Sequence, residues 1–148
     1  NQKLDAIIVF IFEGSGLTGS GLYFLPAALK KNLNTSIKLK VFTGKIDNCQ
    51  QLFSGYANIP QILAVGVGKK SEMNSETLRR AAGKAGKMLT SLKAKTIGFA
   101  VTSHLQKTSE TDVGQVLVEG LALGSYKFNQ YKESHDEKSK LESIKIQF

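Results

Sequence analysis

The sequence predicts an α/β fold: a largely parallel sheet with helices on both faces. Apolar runs rich in Ile, Val and Phe recur at 4–12, 62–67 and 96–101, as expected of strands buried on both sides. Stretches with helical apolar spacing separate them, and that alternation is the pattern of a layered α/β domain. No internal repeat, low-complexity tract or linker interrupts the 148 residues, so one domain over 1–148 is expected.

Taken in order, Leu4–Phe12 is a strand that Glu13-Gly14-Ser15-Gly16 stops. Gly14, Gly16, Gly19 and Gly21 make the following stretch a loop. Leu22–Leu33 reads as a short helix with Pro26 in its first turn. Ile37–Phe42 alternates apolar and polar residues and reads as a half-exposed strand, followed by a turn over 43–48 and a short strand over Gln51–Tyr56. Ile62–Val67 is a buried strand. The strongest helix is Ser75–Leu92, where Leu78, Ala81, Ala82, Ala85, Met88, Leu89 and Leu92 share one stripe. Asn74 or Ser75 caps it, and Glu76 suits the positive end of its dipole. Thr96–Val101 is a strand, Leu105–Thr111 a polar loop, Asp112–Tyr126 a second amphipathic helix and Lys127–Lys140 a charged, solvated loop. Ile144, Ile146 and Phe148 alternate with polar residues in a last strand. A strand that runs to the final residue is expected at a domain boundary.

Composition narrows the function classes. Hydrophobic content of 41% and charged content of 22% are ordinary for a globular protein. The longest apolar run, Ala6–Phe12, is far short of the ~20 residues that span a bilayer, so no membrane partner is expected. No basic stretch precedes it, as a secretory leader requires, although the sequence begins at Asn1 rather than Met. The formal charge of +8 raises an acidic partner such as DNA, because basic surfaces gain from counterion release. The densest basic group is Arg79, Arg80, Lys84, Lys87, Lys93 and Lys95. No aromatics interleave with it, so base stacking is not expected there. A solvated basic surface, or one facing an acidic neighbour, is the plainer reading.

No constellation assigns a catalytic, cofactor-binding or metal-binding residue. Gly14-x-Gly16-x-x-Gly19 follows a strand and matches a dinucleotide fingerprint in outline. The further Ser20-Gly21 delays the helix, and the second strand ends in Phe42-Thr43-Gly44-Lys45 without the acidic residue that would hold a ribose, so the stretch reads as a flexible loop. Gly66-Val67-Gly68-Lys69-Lys70 ends a strand, where an anion is sometimes held, and reads first as a strand-to-helix turn with solvated lysines. Cys49 is the sole cysteine and lies in the polar stretch Asp47-Asn48-Cys49-Gln50, read as a loop with no neighbouring base to activate a thiol. An intramolecular disulfide is excluded. His104 and His135 stand in separate segments without the converging ligands that zinc requires. Glu133, Asp136 and Glu137 are interspersed with lysines and read as a salt-laced loop.

Three segments, in order, carry a resemblance. Ile62-Leu63-Ala64-Val65-Gly66-Val67-Gly68-Lys69-Lys70 is similar to the strand of the leucyl (cytosol) aminopeptidase N-terminal domain that ends in a Val-Gly-Leu-Gly-Lys pattern. Leu78-Arg79-Arg80-Ala81-Ala82-Gly83-Lys84-Ala85-Gly86-Lys87 is similar to that domain's Leu-Arg-Arg-Ala-Ala-Gly helix. Glu119–Phe128, continuing to Tyr131-Lys132, is similar to its closing helix and aromatic tail, in which Gly120 and Gly124 allow close packing and Tyr126, Phe128 and Tyr131 anchor the helix end. The resemblance implies a macro-domain-like three-layer α/β/α fold with a mixed, largely parallel sheet. It implies a non-catalytic, accessory role in a cytoplasmic enzyme that releases N-terminal amino acids from peptides. The two divalent ions of that chemistry, manganese or zinc, belong to a C-terminal catalytic domain whose Asn-Thr-Asp-Ala-Glu-Gly-Arg signature has no counterpart here. The partners implied are that catalytic domain, the other subunits of a homo-hexamer, and DNA in some members. Some macro domains bind ADP-ribose, but neither their Asn-rich first loop nor their Gly-x-Ser-x-Gly-Ile second loop is present, so that ligand is not expected.

Overall fold

Strand β1 (Ala6–Ile11) organises the molecule because its side chains are apolar on both sides. The computed structural model describes residues 3–15, 27–101, 105, 113–131 and 143–147, and only the backbone of 56, 125–131 and 143–147. Strands β3 (Ile59–Gly66) and β4 (Thr96–Ala100) flank β1 in parallel. Strand β2 (Cys49–Tyr56) pairs antiparallel with the far edge of β3, and β5 (Ser143–Gln147) runs parallel to β4. The order is β2-β3-β1-β4-β5. The helices are α1 (Ala27–Lys38), α2 (Ser75–Ser91) and α3 (Val113–Tyr131). A short 3-10 turn, Lys70–Glu72, precedes α2.

Successive strand residues point to opposite faces, and two cores follow. Ala6, Ile8, Phe10, Leu63, Val65, Ile97 and Phe99 meet Leu78, Ala82, Ala85, Leu89, Val116, Leu117 and Leu121 of α2 and α3. Val9, Ile11, Ile62, Ala64 and Ala100 meet Leu29 and Leu33 of α1 and Phe42 beyond it. The Phe10 and Phe99 rings stack with centroids 5.9 Å apart. Each such side chain contributes about 1.5–3 kcal/mol by leaving water. The result is the three-layer α/β/α arrangement with a mixed, largely parallel sheet that the sequence led us to expect. Asp5 ties the starts of β1 and β4 together. It accepts the Thr96 and Lys95 amides at 2.9 and 2.8 Å, and those two bonds hold its carboxyl below its usual value.

Asn74 caps α2 as expected, accepting the Thr77 amide at 2.9 Å. The helix is narrow on its buried side, and α3 lies directly on it. A Cβ on Gly120 would run into the Arg79 carbonyl oxygen, and one on Gly124 into that of Gly83. Backbone thus meets backbone where the two helices touch.

Several boundaries differ from the sequence expectation. Ile37–Phe42 is not a strand. Leu29, Leu33 and Ile37 recur every four residues, so helix α1 continues to Lys38 rather than stopping at Leu33. It ends in a Schellman motif. Lys40 takes a left-handed φ of 61°, its amide donates to Ile37 O at 3.1 Å, and the Val41 amide reaches Ser36 O at 2.9 Å. Leu39 and Val41 are exposed as a consequence. Strand β2 begins at Cys49, earlier than Gln51, and Cys49 is therefore a strand residue rather than a loop one. Pro60 is tolerated in β3 because the pairing with β2 is irregular between Phe53 and Tyr56, where Gly55 takes a φ of +81°. Helix α3 runs on through Lys127–Tyr131, a stretch that its charge had assigned to a loop. Leu105 is buried in the core, although its neighbourhood reads as polar. Residues 16–26, 106–112 and 132–142, and the two histidines, lie outside the described residues.

Candidate functional site

Two places deserve a chemical reading: the carboxyl ends of the central strands and the outer groove between α2 and α3. The strand ends carry Gly66-Val67-Gly68-Lys69-Lys70, whose amides are the donors an anion would use. The Gly66, Val67 and Gly68 amides are committed. Gly66 N–H donates to Asn48 O at 2.8 Å, Val67 N–H to Ile11 O at 3.1 Å and Gly68 N–H to Gly44 O at 2.9 Å. The loop over 42–48 lies so close that a Cβ on Gly66 would run into the backbone of Gly44 and Lys45. Gly44 and Gly68 take φ of +82° and +80°, which glycine adopts without strain. The Asn48 side chain holds the loop by accepting the Thr43 amide at 2.8 Å. Lys70 extends outward with its ammonium 5.8 Å from the Phe12 ring centre. The segment is a strand-to-helix turn, packed by its neighbours.

The groove is different. It encloses about 540 Å³ and is lined on one side by Arg79, Arg80, Lys84 and Lys87 of α2, on the other by Gly120, Leu123 and Gly124 of α3. It lies beside the place where Gly83, Gly120 and Gly124 let the two helices touch. Charge pairs engage its arginines. Arg79 meets Glu76 at 2.7 Å and Glu119 at 3.2 Å. Glu119 also accepts from Gln115 at 2.9 Å, and the bonds from Gln115 and Arg79 hold its carboxyl below the usual range. Arg80 meets Asp47 at 2.5 Å, joining α2 to the loop that covers the strand ends. Lys84 and Lys87 have no ion pair among the described residues. Of the basic group noted in the sequence, four members line the groove and Lys93 and Lys95 do not.

Cys49 lies between the two places, partly buried and packed against the α2 side of the sheet. Burial pushes its thiol up to about 11, against a smaller opposing pull from Lys84. A thiol held protonated is a poor nucleophile.

The comparisons with known proteins bear on the whole of this architecture. A model of the cytosol aminopeptidase family, N-terminal domain, matches residues 8–135. The chain belongs to the cytosol aminopeptidase family. A probable cytosol aminopeptidase of Geotalea uraniireducens (strain Rf4) is 32% identical over 135 residues, 90% of this chain and 27% of that protein. Its counterpart in Trichormus variabilis is 34% identical over 146 residues, 96% of this chain and 29% of that protein. The chain thus spans between a quarter and a third of the length of these relatives. A mutant of tomato leucine aminopeptidase superposes with a TM-score of 0.72 at 23% identity, over 99% of this chain and 30% of that one. The macrodomain of Mycobacterium tuberculosis DarG superposes with a TM-score of 0.62 at 10% identity, over 99% of this chain and 90% of that one. These likenesses show the fold, which is macro-domain-like.

In this cytosol aminopeptidase domain the three family-like segments take separate roles. Strand β3 runs into the covered turn, α2 supplies the basic wall, and α3 lies across it through Gly120 and Gly124. Among the described residues no three His, Cys, Asp or Glu side chains converge as ligands. No described helix is long and apolar enough to cross a membrane. The groove was not legible as a site in the sequence. Its signal was the coincidence of a basic stripe on one helix with glycines spaced by four on the other.

Proposed function

We propose that this chain is the non-catalytic N-terminal domain, residues 1–148, of a longer cytoplasmic aminopeptidase that releases N-terminal residues from peptides. The observation that carries the reading is the alignment of the chain with the N-terminal part of relatives more than three times its length. In this reading the chemistry belongs to a C-terminal catalytic domain that binds two divalent ions, zinc or manganese. Such ions polarise the scissile carbonyl and activate a water. The domain described here packs against that catalytic part and supports a homo-hexamer.

The test is to compare the chain with the longer product of its own reading frame. The longer protein is expected to hydrolyse leucine amides when supplied with Mn²⁺ or Zn²⁺ and to sediment as a hexamer, while the chain over 1–148 stays inert. A longer protein without aminopeptidase activity in either metal would overturn the catalytic part of the proposal. A monomeric but active one would overturn the assembly role.

A further inference from the structure

We propose that the α2–α3 groove binds a small organic phosphate, with the phosphate dianion held by Lys84 and Lys87 and an apolar or planar body laid against Leu123. This inference is independent of the aminopeptidase reading. Three features of the groove carry it.

The first is charge. Arg79, Arg80, Lys84 and Lys87 share the lining with Asp47 and Glu76, so four cations meet two anions among the lining residues, an excess of two. The excess is localised. Arg79 is engaged by Glu76 and Glu119, and Arg80 by Asp47, which leaves the two lysines as the charges without a partner among the described residues. Lys84 and Lys87 stand three apart on α2, and such residues have Cβ atoms about 5–6 Å apart on one helix face. Two ammonium groups at that separation converge on a single dianion. A concave wall of one sign also concentrates the field, and the chain's +8 adds to it.

The second feature is shape. A volume of about 540 Å³ lies within the roughly 300–1,000 Å³ of small-molecule sites. The third is the opposite wall. Gly120 and Gly124 are buried against α2 and send no side chain into the hollow, and Leu123 beside them is 53% exposed and supplies the apolar surface of that wall. A bare inorganic anion would use only the lysine side; a phosphate with a flat or apolar body uses both. The arginines act by position: their ion pairs tie the first half of α2 to α3 and to the loop that holds Asp47, which fixes the helix that carries the lysines.

The probes are AMP and inorganic phosphate, titrated calorimetrically into the chain at low ionic strength. AMP is expected to bind, and to bind more tightly than inorganic phosphate. Replacing both lysines (Lys84→Gln with Lys87→Gln) should weaken AMP at least about a hundredfold, tenfold for each lost charge-assisted contact. Lys31→Gln, on the exposed side of α1, should leave it unchanged. Leu123→Glu sets a carboxylate in the apolar wall without touching the lysines and should also weaken AMP about tenfold or more. Circular dichroism of each variant reports whether it is folded. Raising the salt to 1 M should abolish binding, because exposed charges are then screened within about 3 Å. The proposal is overturned if AMP gives no heat, or if AMP binds the double variant as it binds the parent. It is equally overturned if a DNA duplex binds while AMP and phosphate do not, since the basic face would then serve a backbone of repeating phosphates.

Discussion

The carboxyl ends of the central strands and the outer groove between α2 and α3 are both built on glycine, and glycine has opposite consequences in them. At the strand ends, Gly44, Gly66 and Gly68 let a loop close over the sheet and consume its amides. In the groove, Gly83, Gly120 and Gly124 let two helices touch, and a hollow lies beside the contact. The first place resembles a ligand site in sequence and is filled by the protein itself. The second resembles ordinary helix packing and collects the unpaired positive charge. Glycine content alone therefore does not locate a site: in both places another backbone occupies the space the glycines free, and the difference is that a loop covers the strand ends while the hollow beside the helix contact stays open.

The largest effect should come from filling that space in either place. In Gly66→Ala the new Cβ meets the backbone of Gly44 and Lys45, and in Gly120→Ala it meets the Arg79 carbonyl and the Ala82 methyl. Backbone cannot rotate away as a side chain can, so each variant should lose about 3 kcal/mol, the upper part of the range for overpacking. Urea denaturation measures it. A loss under about 1 kcal/mol at Gly66 but not at Gly120 would mean that the covering loop yields, and the two places would then differ in rigidity as well as in occupancy.

Loosening the cover without filling space should cost less. Asn48→Ala removes the acceptor of the Thr43 amide and leaves that part-buried donor unpaired. The expected cost is about 1–2 kcal/mol. Hydrogen exchange should quicken at Gly68 and Thr43 while the amides of α2 keep their protection. Protection lost equally in α2 would show that loop and helix unfold as one unit, against the separation drawn here.

Much of this architecture was legible in the sequence, for a clear reason. Strands β1, β3 and β4 are buried on two faces, so their residue types are restricted to a run that reads without ambiguity. Helix α2 was equally plain, because its Ala-rich stripe and Asn74 cap point the same way. The failure at Ile37–Phe42 arose where two periodicities coincide. Ile37, Leu39 and Val41 alternate like a strand, while Leu29, Leu33 and Ile37 repeat like a helix, and packing against the sheet selected the second. The charged end of α3 was misread for a related reason: solvated residues carry little information about backbone conformation. The groove stayed hidden because it needs residues forty apart, such as Arg79 and Glu119, to meet across two helices.

A stabilising substitution gives a finer test of the groove. Gly83 lies in the middle of α2 with an ordinary helical φ, and a Cβ there would come no nearer than 3.4 Å to the Gly120 carbonyl. Gly83→Ala should therefore gain about 0.5–1 kcal/mol from helix propensity, with a rise in denaturation midpoint. Its methyl group sits in the floor of the groove, so the same variant should hold AMP no more tightly than the parent. A destabilised Gly83→Ala would mean that the Gly120 carbonyl, 3.4 Å from the added methyl, cannot give way where the helices touch.

The smallest expected effect concerns the link between the two places. Arg80 and Asp47 join α2 to the covering loop at 2.5 Å, but their side chains are 61% and 49% exposed. Exposed pairs of this kind contribute about 0–1 kcal/mol and are weakened by salt. Asp47→Asn should therefore change stability by less than about 0.5 kcal/mol at moderate ionic strength, and the difference should vanish in 1 M salt. The same substitution removes one of the groove's two lining carboxylates, so its excess positive charge rises from two to three. Affinity for AMP should then increase severalfold at low salt while the fold is unaffected. If stability falls by 2 kcal/mol or more, the pair is a structural tie between loop and helix, and the closed strand ends and the open groove would have to be treated as one cooperative unit rather than two.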